Sequence, residues 1–211
     1  MKLRLFSREI YDILCKEYPN ARCMLKSRNP VELLIATQLS AQCRDERVNR
    51  VTHIMFPKFR DVYDYANTDP KKIEKMIKSL GLYKVKAKNI VSSCKRIADV
   101  YNGQVPDNME DLLTLDGVGR KTANLILGEV YNQPAYVVDT HVKRVCRRIG
   151  LTYGTAPDYV EKELRRILDP EISNHFCHLI VNHGRRYCKA INPLCDSCPL
   201  NKICLKHFEK R

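Results

Sequence analysis

At 211 residues the chain is long enough to bury one sizeable core or two smaller ones, and 44% hydrophobic with 29% charged residues excludes a disordered tail. The 37 Lys+Arg against 24 Asp+Glu leave a net charge of +13, which suits a merely soluble basic surface but steers first toward a polyanion, above all nucleic acid. No apolar run approaches the ~20 residues that span a bilayer, and the opening MKLRLFSREIYDILCKEYP meets charges too early for a signal peptide, so the chain is expected inside the cell and off membranes.

Along the chain, apolar residues recur at spacings of three and four between polar, Pro and Gly punctuation, which predicts an all-α protein of roughly ten helices joined by short loops. Asn29-Pro30 opens a helix with Val31, Leu34, Ile35 and Leu39 on one face. Asp69-Pro70, then Ile73, Met76, Ile77 and Leu80, then Gly81, supplies an N-cap, a first-turn proline, a buried stripe and a C-terminal glycine in order. Ala87, Ile90, Val91, Cys94, Ile97, Ala98 and Tyr101 line a further helix before Gly103. The pattern pauses at Tyr131-Asn132-Gln133-Pro134, where a domain boundary is expected, and VVDTHVKRVCRRIG then begins a basic helix.

Between these elements lies Leu112-Leu113-Thr114-Leu115-Asp116-Gly117-Val118-Gly119-Arg120-Lys121-Thr122-Ala123-Asn124. Two helices packed as a hairpin over about 108–131 are expected, with Leu112, Leu115 and Val118 facing Ala123, Leu125 and Ile126 in the core. Gly117 and Gly119 let the turn take positive φ and approach a ligand closely, and the N–H groups opening the second helix suit a backbone phosphate. A tight structural turn reads equally well from the glycines alone. Lys121 stands in the first turn of that helix, where the helix dipole and Arg120 disfavour a further positive charge. A partly desolvated amine there is a candidate nucleophile for an aldehydic or sugar C1′ centre, against the plainer role of a surface lysine touching phosphate. Asp139, in Val137-Val138-Asp139-Thr140-His141, is placed to cap the next helix and can also stabilise positive charge on a sugar whose base departs.

Ten cysteines divide into six scattered ones (Cys15, Cys23, Cys43, Cys94, Cys146, Cys177) and four crowded as C-x6-C-x2-C-x5-C: Cys188, Cys195, Cys198 and Cys204. Four thiolates so spaced can enclose zinc or a [4Fe–4S] cluster, and chemistry alone leaves both open; two disulfides are a third reading, disfavoured in an intracellular chain. With every position filled by protein, the metal is expected to be structural. The loop from Lys189 to Leu194 is stiffened by Pro193 and presents Lys189 to phosphate, or simply closes the site.

LDGVGRKTAN, VDTHV and the cysteine spacing, in that order, together with ELLIATQLSAQCRD and GLYKVKAKNI, resemble the endonuclease III family, the iron–sulfur branch of the helix-hairpin-helix DNA glycosylases. The resemblance spans nearly the whole chain. It implies a two-lobed fold, with a helical bundle over residues 23–134 and a cluster domain from residues 1–22 plus 135–211, and it implies [4Fe–4S] rather than zinc. It further implies that Gln42 fills the space left by an everted nucleotide and that Leu82 wedges against the partner strand. Gly117, Val118, Gly119, Arg120 and Lys189 would hold DNA, while Lys121 attacks C1′ and Asp139 assists. The expected activity is a base-excision-repair glycosylase and AP lyase on double-stranded DNA with oxidised pyrimidines or abasic sites, as a monomer in the cytoplasm or nucleoid. Adenine glycosylases of the superfamily carry a glutamate within the segment that is Ala36-Thr37-Gln38 here and, like its mismatch enzymes, tend to lack the hairpin lysine, so these are alternatives, as is a non-catalytic DNA-binding module. The cluster loop departs from the family in carrying a single basic residue, Lys189.

Overall fold

Eleven α-helices and two 3-10 turns supply the regular structure of residues 2–206, the part of the chain that the computed structural model describes, and no strand occurs among them. The all-α expectation therefore holds. Contacts between Cα atoms gather the chain into two units, one of Met1–Arg22 with Gln133–Arg211 and one of Cys23–Asn132.

The continuous unit is built around a helix buried on nearly every side. That helix, α2 (Pro30–Leu39), follows the expected start: Asn29 Oδ1 accepts from Glu32 N at 2.9 Å, Pro30 fills the first turn, and Glu32 Oε2 accepts from Arg28 N at 2.7 Å. Every residue from Glu32 to Leu39 is buried, so α2 needs partners around its whole circumference rather than along one stripe. It finds them in α3 (Asp45–Met55), α6 (Tyr83–Val100) and α8 (Arg120–Tyr131). Helices α4 (Val62–Ala66) and α5 (Pro70–Ile77) also pack against α6, and the short α7 (Met109–Leu113) pairs with α8. Cys94 of α6 is wholly buried in this core.

The Asp69-Pro70 start of α5 is present, with Asp69 Oδ1 accepting from Lys71 N at 2.9 Å, but its expected end is not. The helix stops at Ile77, capped by Lys78. The left-handed residue that follows is Leu82, at φ +59°, and Gly81 keeps an ordinary φ with open space where a Cβ would stand. Gly81 is thus not the conformational hinge; the strain falls one residue later, on a leucine.

In the discontinuous unit, α1 (Lys2–Glu17) packs on α10 (Pro157–Ile167) and α11 (Ser173–Arg186), and α11 packs on α9 (Thr140–Ile149). Ile10, Leu14, Val142, Val145, Cys146, Leu164, Phe176, Cys177 and Ile180 form its core. Ser7 Oγ donates to Ile167 O at 2.9 Å, using a buried hydroxyl to satisfy a carbonyl in the last turn of α10. Helices α9 and α11 approach closely enough that a Cβ on Gly184 would lie 2.9 Å from His141 Nδ1.

Because Leu34 is completely buried at the centre of the continuous unit, Leu34→Ala removes packed atoms from a site walled by three helices. A loss of about 2–5 kcal/mol in urea unfolding is expected.

Candidate active site and cluster loop

The hairpin turn uses its two glycines differently. Gly117 takes φ +75°, and a Cβ there would stand 2.7 Å from Asn89 Nδ2, so both conformation and contact with α6 exclude a side chain. Gly119 has an ordinary φ of −102° as N-cap of α8, and a Cβ would meet nothing within 4 Å. The expectation of positive φ at both is corrected: internal packing demands glycine only at Gly117. Val118, between them, is 7% exposed and donates its N–H to Leu115 O at 3.1 Å, so its side chain plugs the core beneath the turn. Arg120 and Lys121 are exposed in the first turn of α8.

The turn is seated on α6 and α2 by polar groups. Gln38 Nε2 donates to Asp116 O at 2.8 Å and to Ser93 Oγ at 3.2 Å, and Ser92 Oγ donates to Asp116 Oδ2 at 2.5 Å. Arg96 Nε reaches Thr114 Oγ1 at 2.9 Å. Asn89, Ser92, Ser93 and Arg96 form a stripe on α6 that the apolar pattern of the sequence conceals.

Gln42 and Leu82 share an unusual backbone. Their φ values are +56° and +59°, in the left-handed region that costs a residue with a Cβ about 1–2 kcal/mol. Both side chains are exposed, Leu82 at 56%. Strain combined with an exposed apolar or amide side chain is a functional signal, because the side chain itself gains no burial from it. Thr37, where an adenine glycosylase carries an acid, is buried and donates Oγ1 to Leu33 O at 2.8 Å.

Lys86, one turn into α6, is 4% exposed, and its ammonium donates to Leu39 O and Ala41 O, each at 2.8 Å. Burial pulls this ammonium below the ordinary lysine range, with Cys43 opposing.

Lys121 lies in the continuous unit, within electrostatic reach of Cys23. Burial raises the Cys23 thiol to about 11, Glu129 and Asp45 add to the rise, and Lys121 opposes it. Cys23, Asp45 and Glu129 were not singled out from the sequence, and only the first-turn position of Asp45 in α3 hints at a role.

Asp139 lies in the discontinuous unit. Its Oδ1 accepts from Val142 N at 2.8 Å, so it caps α9 as its position implied, and it remains half-exposed. Beside it, burial lowers the His141 imidazole below its usual range; Arg144 and Arg185 act in the same direction and Asp139 against it.

Farther along α9, two arginines hold the cluster loop. Arg144 donates from Nε and Nη2 to Cys188 O at 3.1 and 3.0 Å, and Arg148 donates from Nη1 to Lys189 O at 2.6 Å and from Nη2 to Ala190 O at 3.1 Å. Lys189 is thereby fixed through its backbone while its side chain stays exposed. The sequence shows Arg144 and Arg148 one helical turn apart in a basic helix, with nothing to mark the carbonyls they hold.

Cys188, Cys195, Cys198 and Cys204 are free, half-buried thiols in mutual electrostatic reach. Burial raises the Cys198 thiol to about 11, and the other three cysteines add to it. N–H donors already face the sulfurs: Lys206 N at 3.4 Å from Cys204 Sγ, Arg148 Nη1 at 3.7 Å from Cys188 Sγ, and Leu200 N toward Cys198. Four free thiols with N–H donors on their sulfurs fit the thiolate ligands of an iron–sulfur cluster.

Comparison with known proteins agrees with this chemistry. The HhH-GPD superfamily base excision DNA repair protein family matches residues 35–170, and the iron–sulfur binding domain of endonuclease III matches residues 188–204. Endonuclease III of Synechocystis sp. is 47% identical over 93% of this chain and 90% of its own length, and that of Bacillus subtilis is 43% identical over 89% and 86%. A solved structure of a trapped endonuclease III–DNA covalent intermediate superposes with a TM-score of 0.91 at 43% identity, covering 96% of both chains. A thermostable thymine-DNA glycosylase, at 22% identity and a TM-score of 0.81, shares the fold. Since the matched span exceeds half of the chain and the relatives cover nearly all of it, the chain belongs to the endonuclease III family of the HhH-GPD superfamily and carries a [4Fe–4S] cluster.

Proposed function

We propose that the chain is a bifunctional DNA glycosylase and AP lyase for oxidised pyrimidines in which Lys121 is the nucleophile and Asp139 its carboxylate partner. The observation that carries this reading is an exposed lysine in the first turn of α8, directly behind a glycine turn locked onto α6. The open space at Gly119 supports close approach of a backbone phosphate, with Gly117 shaping the turn, Val118 anchoring it and Arg120 adding charge. Gln42 and Leu82 enter the duplex, stabilising eversion of the lesion nucleotide, which costs a few kcal/mol.

The lone pair of the neutral Lys121 amine forms a bond to C1′; the N-glycosidic bond breaks, its electron pair leaves with the base, and the base takes a proton. Asp139 accepts the proton shed by the new C–N nitrogen. The C1′–O4′ bond then breaks as the nitrogen lone pair forms C1′=N, O4′ takes that proton from Asp139, and the restored carboxylate stabilises the positive charge of the Schiff base. Loss of a proton from C2′ then drives electrons into a C2′–C3′ double bond and expels the 3′ phosphate, and water finally frees the lysine.

Cys188, Cys195, Cys198 and Cys204 hold the cluster, which serves to order the loop that presents Lys189 to DNA. A net charge of +13 supports DNA, a polyanion, as the partner.

Borohydride should trap the wild-type protein on duplexes carrying thymine glycol or an abasic site, and Lys121→Gln should abolish the adduct while retaining DNA binding; an adduct that survives the substitution assigns the nucleophile elsewhere. Asp139→Asn preserves the capping oxygen and removes only the charge, so activity should fall about 10²–10⁴-fold at unchanged thermal stability. Asp139→Ala should lose about 1 kcal/mol of stability in addition, as read by urea unfolding. The purified protein should be yellow-brown with iron and sulfide in matching amounts, and Cys195→Ser should bleach it; a colourless protein holding stoichiometric zinc would contradict the cluster.

A further inference from the structure

The residues assigned to insertion lie on separate segments, Gln42 beyond the end of α2 and Leu82 at the start of α6, and each is exposed in a left-handed conformation. One buried side chain joins these segments. Lys86 belongs to the first turn of α6, where its N–H donates to Leu82 O at 3.0 Å. Its ammonium spans to the other segment, donating to Leu39 O in the last turn of α2 and to Ala41 O, the residue immediately before Gln42. The carbonyls at a helix C-terminus lack intrahelical donors, so the ammonium satisfies groups that would otherwise be left bare. A neutral residue of equal length would fill the volume without making either bond. The charge therefore ties the backbone leading into Gln42 to the helix that starts at Leu82.

We propose that Lys86 is a positioning residue for strand insertion: its buried ammonium sets the spacing between Gln42 and Leu82 and holds both in their strained conformations before DNA arrives. It touches neither the lesion nor the reacting atoms. This rests on the reading of Gln42 and Leu82 as the inserted residues. The two side chains must fill one gap in one duplex, so an error in their spacing weakens eversion, whereas Schiff-base chemistry on a sugar that needs no eversion is spared. Preorganised spacing matters to rate because displacement of a positioning element by about 1 Å can cost about 10²-fold.

The test compares borohydride trapping rates on one abasic oligonucleotide, presented as a duplex and as a single strand. Lys86→Met should lower the duplex-to-single-strand ratio at least about tenfold, and Lys86→Arg, which can still donate to both carbonyls, should restore most of it. Partial unfolding lowers both rates together and leaves the ratio unmoved, so a purely structural lysine gives an unchanged ratio, which overturns the proposal. With 2-aminopurine opposite the abasic site, Lys86→Met at saturating protein should also show a smaller fluorescence change than wild type. Should Lys86→Met fail to fold by circular dichroism, Lys86→Gln, whose amide can reach one carbonyl, goes through the same two substrates. An intermediate ratio is then expected, and a wild-type ratio again overturns the inference. Wild-type protein that traps neither substrate would refute Lys121 as nucleophile, an outcome distinct from wild-type trapping with a ratio insensitive to position 86.

Discussion

A carbonyl or ammonium taken out of water must find a partner, and helix α6 meets that demand for several chain segments at once. Its polar stripe supplies Lys86 to the exit of α2, Asn89 as the seat of Gly117, and Ser92 and Ser93 to Asp116 and Gln38. The helix itself begins at Leu82. The candidate insertion residues and the candidate phosphate turn therefore share one rigid reference. An amphipathic helix with a purely solvated outer face would bury α2 equally well, yet leave those loops to drift.

Helix α9 does comparable work in the other unit. Asp139 caps its first turn, and Arg144 and Arg148 hold the carbonyls of Cys188, Lys189 and Ala190 from farther along the same helix. Capping and catalysis make compatible demands on Asp139, since a carboxylate accepting an N–H is held in one rotamer. The cluster loop and the candidate carboxylate are thus both tied to one ten-residue helix.

Local rules carry a long way in this chain. Asn29, Asp69 and Asp139 cap the helices that their positions announce, because a capping bond spans only two or three residues and depends on nothing distant. The cysteine spacing and the glycine hairpin are equally local. What stays hidden is decided by packing across the chain. Gly81 looks like a helix terminator, but the left-handed step falls on Leu82, where propensity argues against it and the surrounding fold overrides it. Lys86 reads as one more solvated lysine among Lys84 and Lys88, since nothing in the sequence reveals that two carbonyls from α2 lie above it. Arg144 and Arg148 are hidden for the same reason, as is the approach of Lys121 to Cys23.

The deeply placed thiols bear on the setting in which such a protein operates. Cys94, Cys146 and Cys177 are wholly or almost wholly enclosed, and enclosure raises Cys94 and Cys177 to about 12 and Cys146 well above its ordinary value. A protonated, inaccessible sulfur is a poor target for peroxide, which reacts with the thiolate. Sulfenic acid in either core would force a polar group into close-packed surroundings. Keeping these sulfurs inert protects the close packing of both cores against oxidants.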